Sequence, residues 1–371
     1  MALLDKTVII LPPIQGWGKA QRRRSRLVRR AAILGLIALL LAACVNLSTP
    51  ETTAPTVSTE TASHLPTFTT TFTPSPHPTG TPLPTGTPEN TPEASPSPTF
   101  SPSFTATPVP EVSIRFAVIG DYGSAGPGLE AVANLINGWG VDFIITTGDN
   151  NYPSGSGNTI DKNVGQYFHA YISPYNGSYG EGVDTNRFFP TLGNHDWMTA
   201  HAQPYLDYFT LPGNERYYTF TWGAVAFFAL DSDENEPDGV GRSSVQATWL
   251  QGQLAASQAP WKIVYMHHPA YSSGMHGSTD WMRWPFQEWG ATAVLAGHDH
   301  TYERLQVGDI PYFVVGNGGY TLYNFTDILE ESQFRYNAGF GALLVQADAS
   351  NITFQFTTSQ GEVLDTYSLS K

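Results

Sequence analysis

Cysteine is nearly absent from this 371-residue sequence, since Cys44 is the only one and none follows it. A scaffold held together by internal disulfides is therefore excluded. Positive charge is also scarce, because residues 111–371 carry 10 Lys and Arg against 27 Asp and Glu, a net charge of −17. A domain of that charge does not bind nucleic acid through a basic surface, so we expect no nucleic-acid partner.

The amino-terminal part lacks a hydrophobic run of membrane-spanning length. The apolar run from Ala31 to Ala43 has 13 residues, whereas a spanning helix needs about 20. Arginines precede it and Leu41-Ala42-Ala43-Cys44 ends it, which resembles a bacterial lipoprotein box. We therefore predict a signal peptide over 1–43, lipidation of Cys44, and an exported protein anchored to the extracytoplasmic side of a membrane. A plain signal peptide or short anchor with an incidental cysteine is the alternative.

Residues 44–110 are dominated by Thr, Pro and Ser. No helical or strand periodicity is present, and the apolar surface is too small to offset the entropy of ordering the chain. This composition predicts a disordered tether. It would join the lipidated cysteine to a globular domain over 111–371.

Polar side chains follow five apolar, strand-like runs of that domain. In open α/β sheets, ligands bind beyond the carboxyl ends of the strands. Carboxylate, phenol, amide and imidazole groups at one such edge are typical metal ligands. The runs are 114–119, 141–147, 188–192, 263–266 and 293–296, and they lead into Asp121, Asp149 and Tyr152, Asn194 and His195, His267, and His298 and His300.

The rest of the domain mixes helical and strand patterns. Residues 127–138 open with proline and 243–257 contain a serine cap, and both have the spacing expected of helices. Two antiparallel strands are predicted within 217–230 around Gly223, and a β-meander after residue 339. Residues 153–187 are rich in Gly, Asn and Tyr and predict a long active-site loop. Such a mixture indicates two sheets packed face to face with helices outside.

Five ordered motifs resemble those of the metallophosphoesterases. They are Asp121-x-Gly123, Gly148-Asp149-x-x-Tyr152, Gly193-Asn194-His195, Val264-x-x-His267 and Gly297-His298-x-His300. Tyr152 and the continuation Thr301-Tyr302-Glu303-Arg304 look like the purple acid phosphatase branch in its compact form. The resemblance spans residues 113–320 and implies an α/β fold, the αββα two-sheet metallophosphoesterase sandwich.

The resemblance also implies a dinuclear metal site. It assigns one metal to Asp121, Asp149, Tyr152 and His300, and the other to Asp149, Asn194, His267 and His298. A phenolate is a hard, charged donor that suits Fe(III), whereas the mostly neutral second set suits a divalent Zn, Mn or Fe ion. Asp149 is the candidate bridge between the two ions.

The implied activity is hydrolysis of a small-molecule phosphomonoester by a metal-bound hydroxide. By motif, His195 would protonate the leaving oxygen and His276 would contact the phosphate. Asp196 is expected to orient His195, and His268 is expected either to support the ligands without binding metal or to be a packing residue. Residues 316–319, Gly-Asn-Gly-Gly, are interpreted as a turn that lets the backbone approach the site.

Two other functions are compatible with the sequence. One is a phosphodiesterase or nucleotidase on the same scaffold, which Tyr152 disfavours because many such sites carry Asn or another residue there. The other is a non-catalytic surface lipoprotein that only binds its ligand, which the complete set of ligand residues disfavours. Metal analysis together with a p-nitrophenyl phosphate assay discriminates between the three.

The anchor can be tested at Cys44. We expect Cys44→Ala to prevent lipidation, because the modified thiol is missing, and to leave the protein uncleaved or released. Partition of the wild type into a detergent phase, and of the variant into the aqueous phase, is the expected measurement. Identical partition of the two proteins would contradict the lipoprotein prediction.

Overall fold

The computed structural model describes residues 113–371. The predicted signal peptide, Cys44 and the tether all lie outside the described residues. None of the helices within 113–371 combines the length and the hydrophobicity needed to cross a bilayer.

Thirteen strands form two mixed sheets in the described part of the chain. They are β1 Ile114–Ile119, β2 Phe143–Thr146, β3 Phe188–Pro190, β4 Tyr218–Trp222, β5 Val225–Ala229, β6 Trp261–Tyr265, β7 Ala293–Ala296, β8 Tyr302–Val307, β9 Ile310–Val315, β10 Ser332–Tyr336, β11 Gly341–Ala347, β12 Asn351–Thr358 and β13 Val363–Ser370. The first sheet has the order β13-β12-β11-β1-β2-β3, and the second has the order β10-β8-β9-β7-β6-β5-β4.

Each sheet contains a parallel part. Strands β1, β2 and β3 run parallel in the first sheet, and β5, β6, β7 and β9 run parallel in the second. In the first sheet the antiparallel strands all lie beyond β1, so β3 is an edge strand, whereas in the second sheet antiparallel strands lie on both sides of the parallel part.

The helices are short apart from two. The α-helices are α1 Pro127–Trp139, α2 Gln166–Phe168, α3 Asn194–Trp197, α4 Gln203–Tyr208 and α5 Val245–Ala256. A π-helical turn covers Asp161–Gly165, and 3-10 turns cover His169–Tyr171, Ala200–Ala202 and Asp280–Met282.

An aromatic core joins the two sheets face to face. The ring of Phe227 on β5 lies 5.0 Å from Phe116 on β1 and 5.3 Å from Phe143 on β2, edge to face in both cases. The next residue on β5, Phe228, points the other way and packs in the cluster that contains Leu250 of α5. Strand β5 is thus buried on both faces. The two mixed sheets with their helices confirm the predicted αββα sandwich.

The two long helices form where the sequence predicted them. Helix α1 has Pro127 in its first turn and ends before Gly140, whose φ of 62° lies in the left-handed region. Helix α5 is capped by Ser244, whose hydroxyl accepts the N–H of Ala247 at 3.0 Å. The predicted hairpin around Gly223 and the carboxyl-terminal meander are also confirmed.

The stretch 153–187 is not one irregular loop, as the sequence had suggested. It contains three consecutive helical turns within 161–171. The carboxylate of Asp161 organises it, because it accepts hydrogen bonds from the hydroxyls of Tyr175 and Tyr208 and from the N–H of Ser178. The Gly- and Asn-rich composition favours irregular structure. It does not reveal that the half-buried carboxylate of Asp161 hydrogen-bonds to several parts of the segment.

Candidate metal centre

Four side-chain donors converge at the carboxyl ends of the strands. The hydroxyl of Tyr152 donates to Oδ2 of Asp149 at 2.8 Å and lies 3.1 Å from Nε2 of His300 and 3.3 Å from Oδ1 of Asp121. Nε2 of His300 is 3.3 Å from Oδ1 of Asp121. These atoms come from segments after β1, β2 and β7, and they are the four residues that the resemblance assigned to one metal.

A second set of donors lies on the other side of Asp149. Nε2 of His267 is 3.0 Å from Oδ1 of Asn194, 3.1 Å from Nδ1 of His298 and 3.5 Å from Oδ1 of Asp149. Asp149 therefore presents Oδ2 to the first set and Oδ1 to the second. One carboxylate between two donor sets is the arrangement that a bridged pair of cations requires.

The charge of the site also fits bound cations. Asp121 and Asp149 are buried, with exposed fractions of 0% and 1%. Within residues 113–371 their ion-pair partners are histidines, and neither has a Lys or Arg. Burial raises the pKa of Asp149, but His267 and His195 more than offset that effect, so the pKa is lowered and the carboxylate is ionised.

The protonation of Tyr152 supports the same conclusion. Burial, Asp121 and Asp149 raise the pKa of the Tyr152 phenol well above its usual value. A phenolate at this position thus requires a cation beside it. The candidate ligand atoms form two groups, in each of which they all lie within 4.8 Å of one another: Asp121, Asp149 and His300 in one, and His267, His268 and His298 in the other.

Hydrogen bonds from the backbone orient the ligand side chains. Nδ1 of His267 donates to the carbonyl of Thr147 at 2.9 Å, and Nδ1 of His300 donates to the carbonyl of Thr321. In the neutral form of each ring, the proton is therefore on Nδ1, and the lone pair of Nε2 is directed at the other donors and available to a metal. The N–H of His298 binds Oδ2 of Asp121 at 2.8 Å, which leaves Oδ1 of that carboxylate for the centre.

Three of the candidate ligand residues have left-handed backbone conformations. The φ angles are 53° at Asp121, 52° at Asp149 and 69° at His298. Such conformations cost about 1–3 kcal/mol at residues other than glycine. Their presence at three convergent donors indicates that the fold holds these side chains in place against local preference.

His195 and His276 lie at the mouth of the site. Nδ1 of His195 donates to the carbonyl of Pro153 at 2.6 Å, and Nε2 lies 4.0 Å from Oδ2 of Asp149. The His195 side chain is 33% exposed, so substrate can reach it. The His276 ring lies 4.4 Å from the His298 ring, and its backbone N–H binds Oδ1 of Asp299 at 2.8 Å.

The expectation that Asp196 orients His195 is wrong. Oδ2 of Asp196 accepts hydrogen bonds from the N–H of Gly193 at 2.9 Å and from the N–H and side-chain amide of Asn150. Asp196 occupies the third position of helix α3, so its carboxylate folds back to cap the first turn. The carbonyl of Pro153 orients His195 instead.

His268 lies beside the second donor set. One of its nitrogens lies within 4.8 Å of ligand atoms of His267 and His298. Nδ1 is 3.0 Å from the hydroxyl of Ser232. Burial, followed by repulsion from His267, lowers the pKa of His268 to about 3, so the ring is neutral and adds a third imidazole to this side.

Sequence reasoning missed several residues that support the site. Asp299 accepts hydrogen bonds from the N–H groups of His276 and Gly277 and from the hydroxyl of Ser272, and thus holds their loop. Its position in the sequence, between His298 and His300, could have marked Asp299 as a residue that supports the site. Tyr320 and Tyr323 stack on ligand rings, and no local pattern marked them.

The comparison with protein families agrees with this geometry. The family described as calcineurin-like phosphoesterase matches residues 114–302, just over half of the chain. The chain belongs to the calcineurin-like phosphoesterase family. Its buried donor sets and family membership identify it as a metal-dependent phosphoesterase.

Acid phosphatases are among the similar proteins. Tartrate-resistant acid phosphatase type 5 of Mus musculus is 27% identical over 248 residues, covering 57% of this chain and 74% of the relative. Purple acid phosphatase 4 of Arabidopsis thaliana is 26% identical over 299 residues, covering 71% and 86%. The structure of purple acid phosphatase PPD1 from yellow lupin (Lupinus luteus) seeds has a TM-score of 0.57 at 20% identity. The aligned region covers 70% of this chain and 54% of the lupin chain. At this level of identity, the likeness shows a shared fold.

The crowding behind Asp149 can be tested at Gly193. A Cβ atom at Gly193 would lie 2.3 Å from both the backbone nitrogen and Oδ1 of Asp149. We expect Gly193→Ala to displace the shared carboxylate, to lower the free energy of unfolding by about 1–3 kcal/mol and to reduce bound metal below one ion per chain.

Gly138 provides the matched control. It lies in helix α1, and a Cβ there meets no atom within 4 Å. Gly138→Ala should raise the free energy of unfolding by about 0.5–1 kcal/mol and leave the metal content unchanged. Elemental analysis and thermal melts are the measurements, and equal metal content in the two variants would contradict the role given to Asp149.

Proposed function

We propose that this chain is a phosphomonoester hydrolase of the purple acid phosphatase type, with an Fe(III) ion and a divalent Zn, Mn or Fe ion. The observation that carries the proposal is the Tyr152 hydroxyl, which lies within 3.3 Å of Asp121, Asp149 and His300. A buried phenol among carboxylates favours a trivalent ion over a divalent one. Two relatives of similar sequence are named as tartrate-resistant and purple acid phosphatases.

The residues divide into a binding part and a proton-transferring part. Asp121, Asp149, Tyr152 and His300 would hold one ion, and Asp149, Asn194, His267 and His298 the other. When bound, the two ions would supply positive charge that neutralises the phosphoryl oxygens and lowers the pKa of water. The protein's own contribution is to fix the donors in advance, through the backbone hydrogen bonds of His267, His298 and His300.

His195 is suited to be the general acid. Its Nδ1–H is held by the carbonyl of Pro153, so Nε2 is the atom that can carry a proton to the substrate. Nε2 lies 4.0 Å from Oδ2 of Asp149, at the edge of the candidate centre. Partial exposure of the side chain lets the leaving oxygen of an ester approach it.

His276 is suited to contact the phosphate. It is exposed, and its ring lies 4.4 Å from that of His298, tilted by 31°, and 5.4 Å from that of Tyr323. Asp299 anchors its backbone, so the imidazole is presented from a fixed loop. A histidine there adds a donor for a phosphoryl oxygen in a domain whose net charge otherwise repels phosphate.

The proposal also covers location. The lipoprotein-like ending at Cys44 and the Thr/Pro/Ser-rich residues 44–110 support an exported enzyme tethered to a membrane. Its substrates would be small phosphate esters outside the cytoplasm. The excess of acidic residues in 111–371 argues against nucleic acid as a partner.

Colour and substrate preference test the proposal together. We expect the oxidised, iron-loaded protein to be purple to pink, because a tyrosinate–Fe(III) pair absorbs visible light, and to hydrolyse p-nitrophenyl phosphate faster than bis(p-nitrophenyl) phosphate. Tyr152→Phe should lose the colour and keep the fold. Tyr122→Phe removes another buried hydroxyl, one that binds Asn150, and should keep the colour.

Two results would count against this assignment. Colourless iron-loaded protein, or a visible band that persists in Tyr152→Phe, would make Tyr152 a packing residue. A preference for the diester would favour the phosphodiesterase alternative. Protein that binds metal and hydrolyses neither ester would favour the non-catalytic alternative.

Replacement of His195 tests the proton donor. We expect His195→Ala to slow hydrolysis of alkyl phosphates by about 10²–10⁴-fold, because a poor leaving group needs the proton. The loss for p-nitrophenyl phosphate should be smaller, since p-nitrophenolate leaves without protonation. Rates for the two substrates at saturating concentration give the comparison.

His169→Ala is the matched control for this replacement. His169 also binds a backbone carbonyl through Nδ1, that of Gly165, and it lies outside the candidate centre. It should retain wild-type rates on both substrates. Equal losses on the two substrates in His195→Ala would argue that His195 positions phosphate and donates no proton.

A further inference from the structure

The segment from Tyr320 to Tyr323 lies against the centre from a side that the five sequence motifs do not describe. It follows β9 and the Gly-rich turn 316–319. The N–H of Gly318 donates to the carbonyl of Gly120 at 3.0 Å, and a Cβ at Gly318 would lie 2.3 Å from that oxygen. The turn therefore brings this segment next to the strand end that carries Asp121.

Tyr320 contacts the phenol ligand face to face. Its ring centroid lies 4.0 Å from that of Tyr152, and the two planes differ by 19°. Its backbone N–H donates to the carbonyl of Asp121 at 3.3 Å. Tyr320 is thus attached to one ligand through its backbone and to another through its ring.

Tyr323 makes the corresponding contact with the imidazole ligand. Its ring centroid lies 3.9 Å from that of His300, with 9° between the planes. The N–H of Tyr323 donates to the carbonyl of His300 at 3.1 Å, and the carbonyl of Thr321 accepts Nδ1–H of His300. One four-residue segment therefore holds His300 by its ring face, its ring edge and its backbone.

The rings, and not the hydroxyls, make these contacts. Within residues 113–371 neither the Tyr320 nor the Tyr323 hydroxyl has a hydrogen-bond partner, and both side chains are half-buried. Rotation of the His300 ring about its Cβ–Cγ bond, or of the Tyr152 side chain about its Cα–Cβ bond, would separate donor atoms that now lie 3.1 Å apart. A parallel ring at contact distance restricts that rotation.

We infer that Tyr320 and Tyr323 are positioning residues that hold the phenol and imidazole ligands of the proposed Fe(III) site by stacking on their rings. We call this pair the aromatic brace. The inference rests on the proposed function, since it concerns the same metal site. The proposal assigns to these two residues a role in holding the ligands, and neither residue is itself a metal ligand or a catalytic group.

Metal release tests the brace without relying on turnover. The metal-loaded full-length wild type, Tyr320→Leu and Tyr323→Leu are dialysed against a chelator, and the metal retained is followed by elemental analysis. We expect each leucine variant to release metal about three- to tenfold faster, because the stacking contact is lost. In iron-loaded Tyr320→Leu the visible band should also broaden or shift.

Phenylalanine variants separate the ring from the hydroxyl. Tyr320→Phe and Tyr323→Phe keep the stacked ring, so their release rates and spectra should match the wild type. Tyr367→Leu is the matched control, since Tyr367 is a half-buried tyrosine on β13 that contacts Phe313 and no ligand. It should lower thermal stability without changing metal release.

The outcomes distinguish failure of the brace from failure of the proposed function. Wild type that binds no metal overturns both. Wild type that binds two metals and hydrolyses p-nitrophenyl phosphate, with leucine variants that release metal at the wild-type rate, overturns the brace alone. Faster release from the phenylalanine variants also overturns it, because the hydroxyl would then be the important group.

Discussion

Buried negative charge without a basic partner is the constraint on which the rest of this structure depends. Asp121 and Asp149 have almost no exposed surface, and only histidines lie within ion-pair distance of them in the described part of the chain. Removing an ionised carboxylate from water is costly unless a cation or several hydrogen bonds compensate for it. The converging imidazoles and phenol, and the left-handed backbone at both aspartates, are explained together if cations occupy the space between them.

The two sheets supply different halves of the donor sets. Asp121, Asp149 and Asn194 follow strands of the first sheet, whereas His267 and His298 follow strands of the second. Their relative positions therefore depend on how the sheets pack against each other. The close-packed aromatic core that joins the sheets resists changes of spacing, because cores at this density tolerate little displacement. The packing between the two sheets thus determines the distances between the donor residues that each sheet carries.

Local patterns predicted most of the parallel strands and placed the candidate ligands beyond their ends, whereas the assignment of those residues to two metals came from the resemblance to the metallophosphoesterases. Asp121 and Asp149 each lie two residues beyond the end of an apolar run. A short stretch of sequence therefore predicts both the strand and the polar side chain that follows it. Strand β9 was missed because Pro311 lies inside it, and proline normally argues against a central strand. The bond between Asp196 and Asn150, and the stacking of Tyr320 on Tyr152, join segments 46 and 168 residues apart, and no periodicity encodes such contacts.

The acidic surface and the centre impose opposite demands on a phosphate substrate. Residues 111–371 carry a net charge of −17, which repels an anion at long range. Salt limits that repulsion to about 8–10 Å, so attraction within the site has to act over shorter distances. Cations held by the donor sets, with His195 and His276 at the mouth, provide such short-range attraction.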